Sequence, residues 1–120
     1  MTTAAPKSPI TTHVLDVSRG KPASGMGVRL ELKAATGEWT ELGRAETDAD
    51  GRASGLLTPG ARLMRGVYRL SFETGEYFAE REGKTFYPTV DIAFDVSDPA
   101  EHYHVPLLLS PYGYSTYRGS

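Results

Sequence analysis

The chain contains no cysteine, so neither a disulfide nor a thiolate-ligated metal belongs to it. Long apolar runs are missing too. Nothing approaches a membrane-spanning helix of about 20 apolar residues, and residues 1–9 lack the apolar core of a secretory leader. Charge of one sign is equally absent. With 13 Lys and Arg against 15 Asp and Glu the net charge is −2, and the basic residues are scattered, which excludes the basic stripe of a nucleic-acid surface.

What remains is sufficient for one domain. At 120 residues, 39% hydrophobic and 23% charged, the composition is globular, and a chain of that length buries roughly two-thirds of its unfolded surface. Residues 1–8, rich in Thr, Ala and Pro, are expected to form a disordered arm, with residues 9–120 as the domain. The cytoplasm is the expected compartment, because there is no leader and the last residues are not a peroxisomal address.

The dominant period is two. Val28, Leu30, Leu32 and Ala34 alternate with Arg29, Glu31 and Lys33; Tyr68, Leu70 and Phe72 repeat the pattern, as do Val90, Ile92, Phe94 and Val96. Further strands are expected at residues 10–17, 39–46, 53–57, 103–109 and 112–118, separated by turn signals such as Gly20-Lys21-Pro22, Asp50-Gly51 and Thr58-Pro59-Gly60. Residues 74–83 break the alternation with helical composition closed by Gly83, which predicts a helix of about two turns. About eight strands and one short helix, in the order five strands, helix, three strands, favour an all-β, two-sheet antiparallel sandwich.

Two motif-like stretches carry nothing. Residues 46–51 place acids at alternate positions before a glycine, as a calcium loop does, but Leu57 stands where the bidentate Glu is required; a hairpin turn at Asp50-Gly51 is expected instead. Gly25-Met26-Gly27 begins a dinucleotide fingerprint that Leu30 ends, with no helix following.

The three histidines are more informative. His102 and His104 fall on one face of a strand, opposite the core-facing row Tyr103, Val105, Leu107 and Leu109. Such a pair can hold a metal if His13 or an acid supplies a third ligand, can serve a metal-free site, or can be two solvated side chains. His13 shares its strand face with Leu15, for which a structural role is the default reading. Arg52, just after a turn, reads alone as a surface charge. The last residues, Tyr112 to Ser120, continue the strand alternation where chains ordinarily fray, which suggests that their polar groups converge on something, the terminal carboxylate among them.

The stretch His102-Tyr103-His104-Val105-Pro106-Leu107-Leu108-Leu109-Ser110-Pro111, followed by Tyr114-Ser115-Thr116-Tyr117-Arg118-Gly119-Ser120, closely resembles the carboxy-terminal signature of the 5-hydroxyisourate hydrolases, in the transthyretin-like family. Thr12-His13-Val14-Leu15-Asp16 with Gly20-Lys21-Pro22-Ala23, Thr47-Asp48-Ala49-Asp50-Gly51-Arg52, and Tyr87-Pro88-Thr89-Val90 resemble the same family in the same order. The resemblance implies a transthyretin-like fold of two four-stranded sheets and a homotetramer with active sites where two dimers meet. It implies hydrolysis of 5-hydroxyisourate to 2-oxo-4-hydroxy-4-carboxy-5-ureidoimidazoline in urate breakdown, without metal or cofactor. By the same resemblance His13, Arg52 and His104 are catalytic, while Tyr117, Arg118, Gly119 and Ser120 bind substrate. His102 fits the pattern but is not carried over as catalytic. Transthyretin itself, a hormone carrier, shares the fold but lacks the Tyr-Arg-Gly-Ser ending. A carrier and a β-sandwich module of a larger protein are the rival readings.

Overall fold

The computed structural model describes residues 8–81 and 83–120. Its elements are β1 (Ile10–Asp16), β2 (Lys21–Pro22), β3 (Gly27–Lys33), β4 (Trp39–Glu46), β5 (Arg52–Ala53), β6 (Gly66–Phe72), α1 (Thr74–Ala79), β7 (Val90–Val96), β8 (Tyr103–Ser110) and β9 (Gly113–Thr116). They form two sheets. One has the order β4-β3-β6-β7; the other runs β2-β1-β8-β9 with β5 also on β1, giving it five strands rather than four. The additions are β2 and β5, two-residue strands too short to show a period. Of the expected arm, residues 1–7 lie outside the described residues; Ser8 is buried and donates its hydroxyl to the Ile10 carbonyl.

Among the described residues all the strand pairings are antiparallel except one: β1 runs parallel to β8 over seven positions, from Ile10 opposite Tyr103 to Asp16 opposite Leu109. The alternating residues behave as their period requires. Ile10 and Val14 of β1 face Leu30, Tyr68, Leu70 and Phe72 of the other sheet across one core, with Val105, Leu107 and Leu109 of β8 beside them. The intervening residues of β1, Thr11, His13 and Leu15, stand on the outer face. Leu15 therefore does not mark the core side, and the structural reading of His13 that rested on it falls.

Three expected elements are shorter by more than one residue. The strand at 53–57 stops at Ala53, and β9 ends at Thr116 rather than 118. The helix occupies Thr74–Ala79 and closes as expected with Gly83, at φ +87°, donating its N–H to the Phe78 carbonyl. Asp50-Gly51 does turn, but β4 and β5 belong to different sheets, so the turn is a crossover and not a hairpin. Gly51 has φ +79°, and a Cβ there would fall 2.4 Å from the Val14 carbonyl oxygen, so only glycine lets this turn pack against β1.

Buried polar groups fix β1 at both ends. The Thr12 hydroxyl donates to the Val105 carbonyl. Asp16, fully buried, accepts from the Tyr77 hydroxyl of α1 at 2.8 Å and from the Ser18 hydroxyl. Burial, then the adjoining carboxylate, pushes the Tyr77 hydroxyl above its usual pKa, so Tyr77 remains a donor. Among the described residues no helix is long and apolar enough to cross a membrane.

Removing one partner from a buried hydrogen bond leaves the other desolvated and unpaired, at a cost of about 1–3 kcal/mol. Tyr77→Phe is expected to lower unfolding stability by about that amount in urea denaturation. An unchanged midpoint would mean that Asp16 is held by Ser18 and the neighbouring main chain alone.

Candidate active site

The residues that carry the site come from four separated stretches, and strand register brings them together. On β1, Thr11 lies opposite His104 of β8, and His13 opposite Arg52 of β5. Facing residues in adjacent strands share a sheet face, so all four project outward from the five-stranded sheet. After β9 the chain leaves the sheet and returns at Gly119, which bridges to His104 with its N–H donating to the His104 carbonyl at 2.8 Å. A Cβ on Gly119 would lie 2.6 Å from His104 Cδ2, so glycine is what allows the tail to cross so close to that ring. Beside it opens a cleft of about 470 Å³, lined by Arg52 and Ser54, by His102 and His104, and by Thr11 and Ser120 among others.

Two histidine rings meet at one hydroxyl. Thr11 Oγ1 lies 2.8 Å from Nδ1 of His104 and 3.0 Å from Nε2 of His102. His13 is held differently: its Nε2 is 2.8 Å from the Asp50 carbonyl oxygen. A carbonyl only accepts, so that nitrogen carries the proton and, in the neutral ring, Nδ1 keeps the lone pair. Asp48 organises the turn beneath, its carboxylate accepting from the main-chain N–H groups of Asp50 and Arg52. The Arg52 bond is the main reason its carboxyl is held below the usual carboxylate range.

His104 is half-buried, and its imidazole is pushed below the ordinary pKa, first by burial, then by the charge of Arg52, then by His102 and His13; interaction with the Thr11 main chain opposes this only in part. The result is a histidine kept neutral by desolvation and by nearby positive charge, in a cleft that an anion would enter favourably. Among the described residues, no group of three or more His, Asp or Glu side chains is gathered closely enough to hold a metal ion.

The expected site residues are not all placed alike. Arg52, His104 and Ser120 line the cleft. His13 stands next to it on β1, close enough for its charge to act on His104. Gly119 packs on the His104 ring. Arg118 turns the other way: it donates to Glu101 Oε2 at 3.0 Å and to the His102 carbonyl, with its guanidinium 4.5 Å from the centre of the Tyr103 ring. Tyr117 is 57% exposed and, with Arg118, borders a separate hollow beside Tyr103 and Val105. Thr11 went unsingled in the sequence, although the two-residue period that puts His13 on the outer face puts Thr11 there too. Ser54 and Pro59 come from the irregular segment after β5; in sequence Pro59 reads only as part of a turn, and Ser54 carries no signal.

Comparison with known proteins bears on this arrangement. The model of the HIUase/Transthyretin family matches residues 10–119. A 5-hydroxyisourate hydrolase of Mus musculus is 48% identical over 118 residues, covering 98% of this chain and 99% of that protein. Among solved structures, the 5-hydroxyisourate hydrolase of Klebsiella pneumoniae aligns with a TM-score of 0.79 at 37% identity, covering 92% of this chain and 98% of that one. Transthyretin from Sparus aurata aligns with a TM-score of 0.87 at 32% identity, covering 94% and 97%. Backbone likeness thus extends to both kinds of protein.

A histidine with a depressed folded pKa binds its proton more readily unfolded. Its stability contribution is complete above about pH 6.5 and is lost as the pH falls from there toward the folded value. In an NMR titration the His104 ring should therefore show a midpoint below 6.5, and Arg52→Met should move that midpoint upward. A midpoint at or above 6.5 in the unaltered protein would contradict this electrostatic picture.

Proposed function

The chain belongs to the HIUase/Transthyretin family, and from that premise we propose that it is a 5-hydroxyisourate hydrolase of urate breakdown, opening the six-membered ring by attack of water on a ring carbonyl. The observation that carries this reading is the convergence of Arg52, His104 and Ser120 on one cleft, at the positions where the chain matches the signature of the hydrolases.

The chemistry needs a base for water, a counter-charge for the oxyanion and a proton for the departing nitrogen. His104, held neutral, takes a proton from water as the oxygen adds to the carbonyl carbon. The carbonyl electrons collect as an oxyanion that the permanently cationic Arg52 stabilises through its planar set of donors. Collapse of that intermediate breaks the carbon–nitrogen bond, the proton held by His104 passes to the leaving nitrogen, and the carboxylic acid so formed ionises to a carboxylate by releasing its proton to solvent. His13, oriented by its bond to the Asp50 carbonyl, flanks the water, and Ser120 hydrogen-bonds substrate from the tail. Within the protomer Tyr117 and Arg118 border a separate hollow, so the substrate contact expected of them would be made at the cleft of a neighbouring copy in the tetramer.

The same reading includes a homotetramer whose sites lie where two dimers meet. It is supported by the outer face that carries the histidines: Leu15 and Leu108 sit only half-buried beside them, and Val17 is 55% exposed. A second copy against that face would bury these groups and close the open cleft, strengthening the electrostatics inside it.

His104→Asn and Arg52→Met should each lower kcat/KM on freshly generated 5-hydroxyisourate by about a hundredfold or more, with sedimentation still reporting a tetramer. The assay follows decay above the spontaneous rate together with formation of one product enantiomer. Near-normal turnover in either variant sinks the mechanism, and retention of ligand without turnover would point to a carrier. Deleting residues 118–120 should impair catalysis more than thermal stability; equal losses in both would make the tail a purely structural clamp.

A further inference from the structure

The contact that the mechanism leaves unused is the hydroxyl of Thr11, which stands within hydrogen-bond distance of two imidazoles at once. A threonine hydroxyl has one proton and two lone pairs. If both facing nitrogens offered lone pairs, one would go unsatisfied; if both carried protons, the hydroxyl would spend its own proton elsewhere. The arrangement that uses every group is a directed chain in which one ring donates to Thr11 and Thr11 donates to the other. The two rings are then tautomerically coupled, since fixing the proton on one fixes it on its neighbour.

The direction follows from which nitrogen is left for the cleft. Nδ1 of His104 is engaged by Thr11, so the nitrogen left for water or substrate is Nε2. Nε2 adjoins Cδ2, the ring atom that Gly119 crosses, one residue before Ser120 lines the cleft. A base needs a lone pair there, which requires the proton on Nδ1. We infer that Thr11 is a positioning residue that accepts the Nδ1 proton of His104 and donates its own to Nε2 of His102, holding His104 in the tautomer that exposes a basic Nε2 to the cleft. The inference rests on the hydrolase reading for the direction of the chain, though not for the contacts that form it.

His102, which also lines the cleft, acquires a role from the same geometry. It is the solvent-exposed acceptor that keeps the Thr11 proton pointed away from His104. Its own main chain is tied down, since its carbonyl accepts from Arg118. Arg118 pairs with Glu101 at 3.0 Å, so the outward-facing tail arginine steadies the far end of the chain of hydrogen bonds.

The experiment compares the full-length protein with Thr11→Val, which keeps the β-branched shape and loses the hydroxyl, and Thr11→Ser, which keeps the hydroxyl. Nitrogen-15 NMR at a pH where the imidazoles are neutral reads the His104 tautomer, and steady-state kinetics separates kcat from KM. The expected result is Nδ1–H on His104 in the unaltered protein and in Thr11→Ser. Thr11→Val should show a shift toward Nε2–H and a fall in kcat of about tenfold or more, with KM changed little. Nε2–H on His104 in the unaltered protein overturns the inference. So does a kcat within twofold in Thr11→Val, or an equal loss in Thr11→Ser, which would make the effect one of packing. Failure of the hydrolase reading is distinguishable: the unaltered protein would then not accelerate substrate decay, while the tautomer measurement would still decide the hydrogen-bond direction.

Discussion

The site rests on the register of β1. This strand is the hub of its sheet, with β2, β5 and β8 all pairing to it, and every side chain brought to the cleft is placed directly or through a neighbour by those pairings. Because side chains alternate with a period of two, a slip of one residue would send Thr11 and His13 into the core and bring Thr12 and Val14 out. The core side prevents this: Ile10 and Val14 are fully buried, and Thr12 and Asp16, also buried, are bonded to partners that stand at one position only. Polar groups inside the sandwich thus hold the functional groups outside it.

The two sheets treat charge on their outer faces differently. On the four-stranded sheet, charges are neutralised in place: Glu31, largely buried, takes two contacts from Arg69 near 2.8 Å, Arg69 lies over the Trp39 ring, and Arg44 pairs with Glu41. On the five-stranded sheet, groups of one sign collect around His104, and their combined field with burial is what lowers its proton affinity. One face pairs its charges locally; on the other, Arg52 and the neighbouring histidines leave a positive field at His104.

Much of this was legible in the sequence for reasons that can be named. The alternation of Tyr103, Val105, Leu107 and Leu109 is strong enough to place His102 and His104 outward without a structure. Gly83 closing α1 and Gly51 making its turn are local requirements of backbone geometry. What escaped is non-local. Parallel pairing of β1 with β8 leaves no mark in either strand, β2 and β5 are too short for periodicity, and Leu15 looked inward because an apolar residue on an outer face is indistinguishable from a core residue in sequence. The tail was read as one unit, yet Gly119 and Ser120 go to the cleft while Tyr117 and Arg118 go elsewhere, a division produced by the break in β9 after Thr116.

The parallel ladder also determines the order in which the molecule can be assembled. Thr11 and its partner His104 are separated by 93 residues, whereas β3, β4, β6 and β7 pair among themselves and are complete by Val96. Loop closure over such a distance is slow, and until it occurs β1 has only two two-residue strands to hold it. A refolding chain can therefore pair the four strands of one sheet before any of the cleft exists, while the core between the sheets still lacks one of its walls. The cleft exists only once that ladder has closed, and a chain in which it is open leaves the edge of β1 free to pair with other chains.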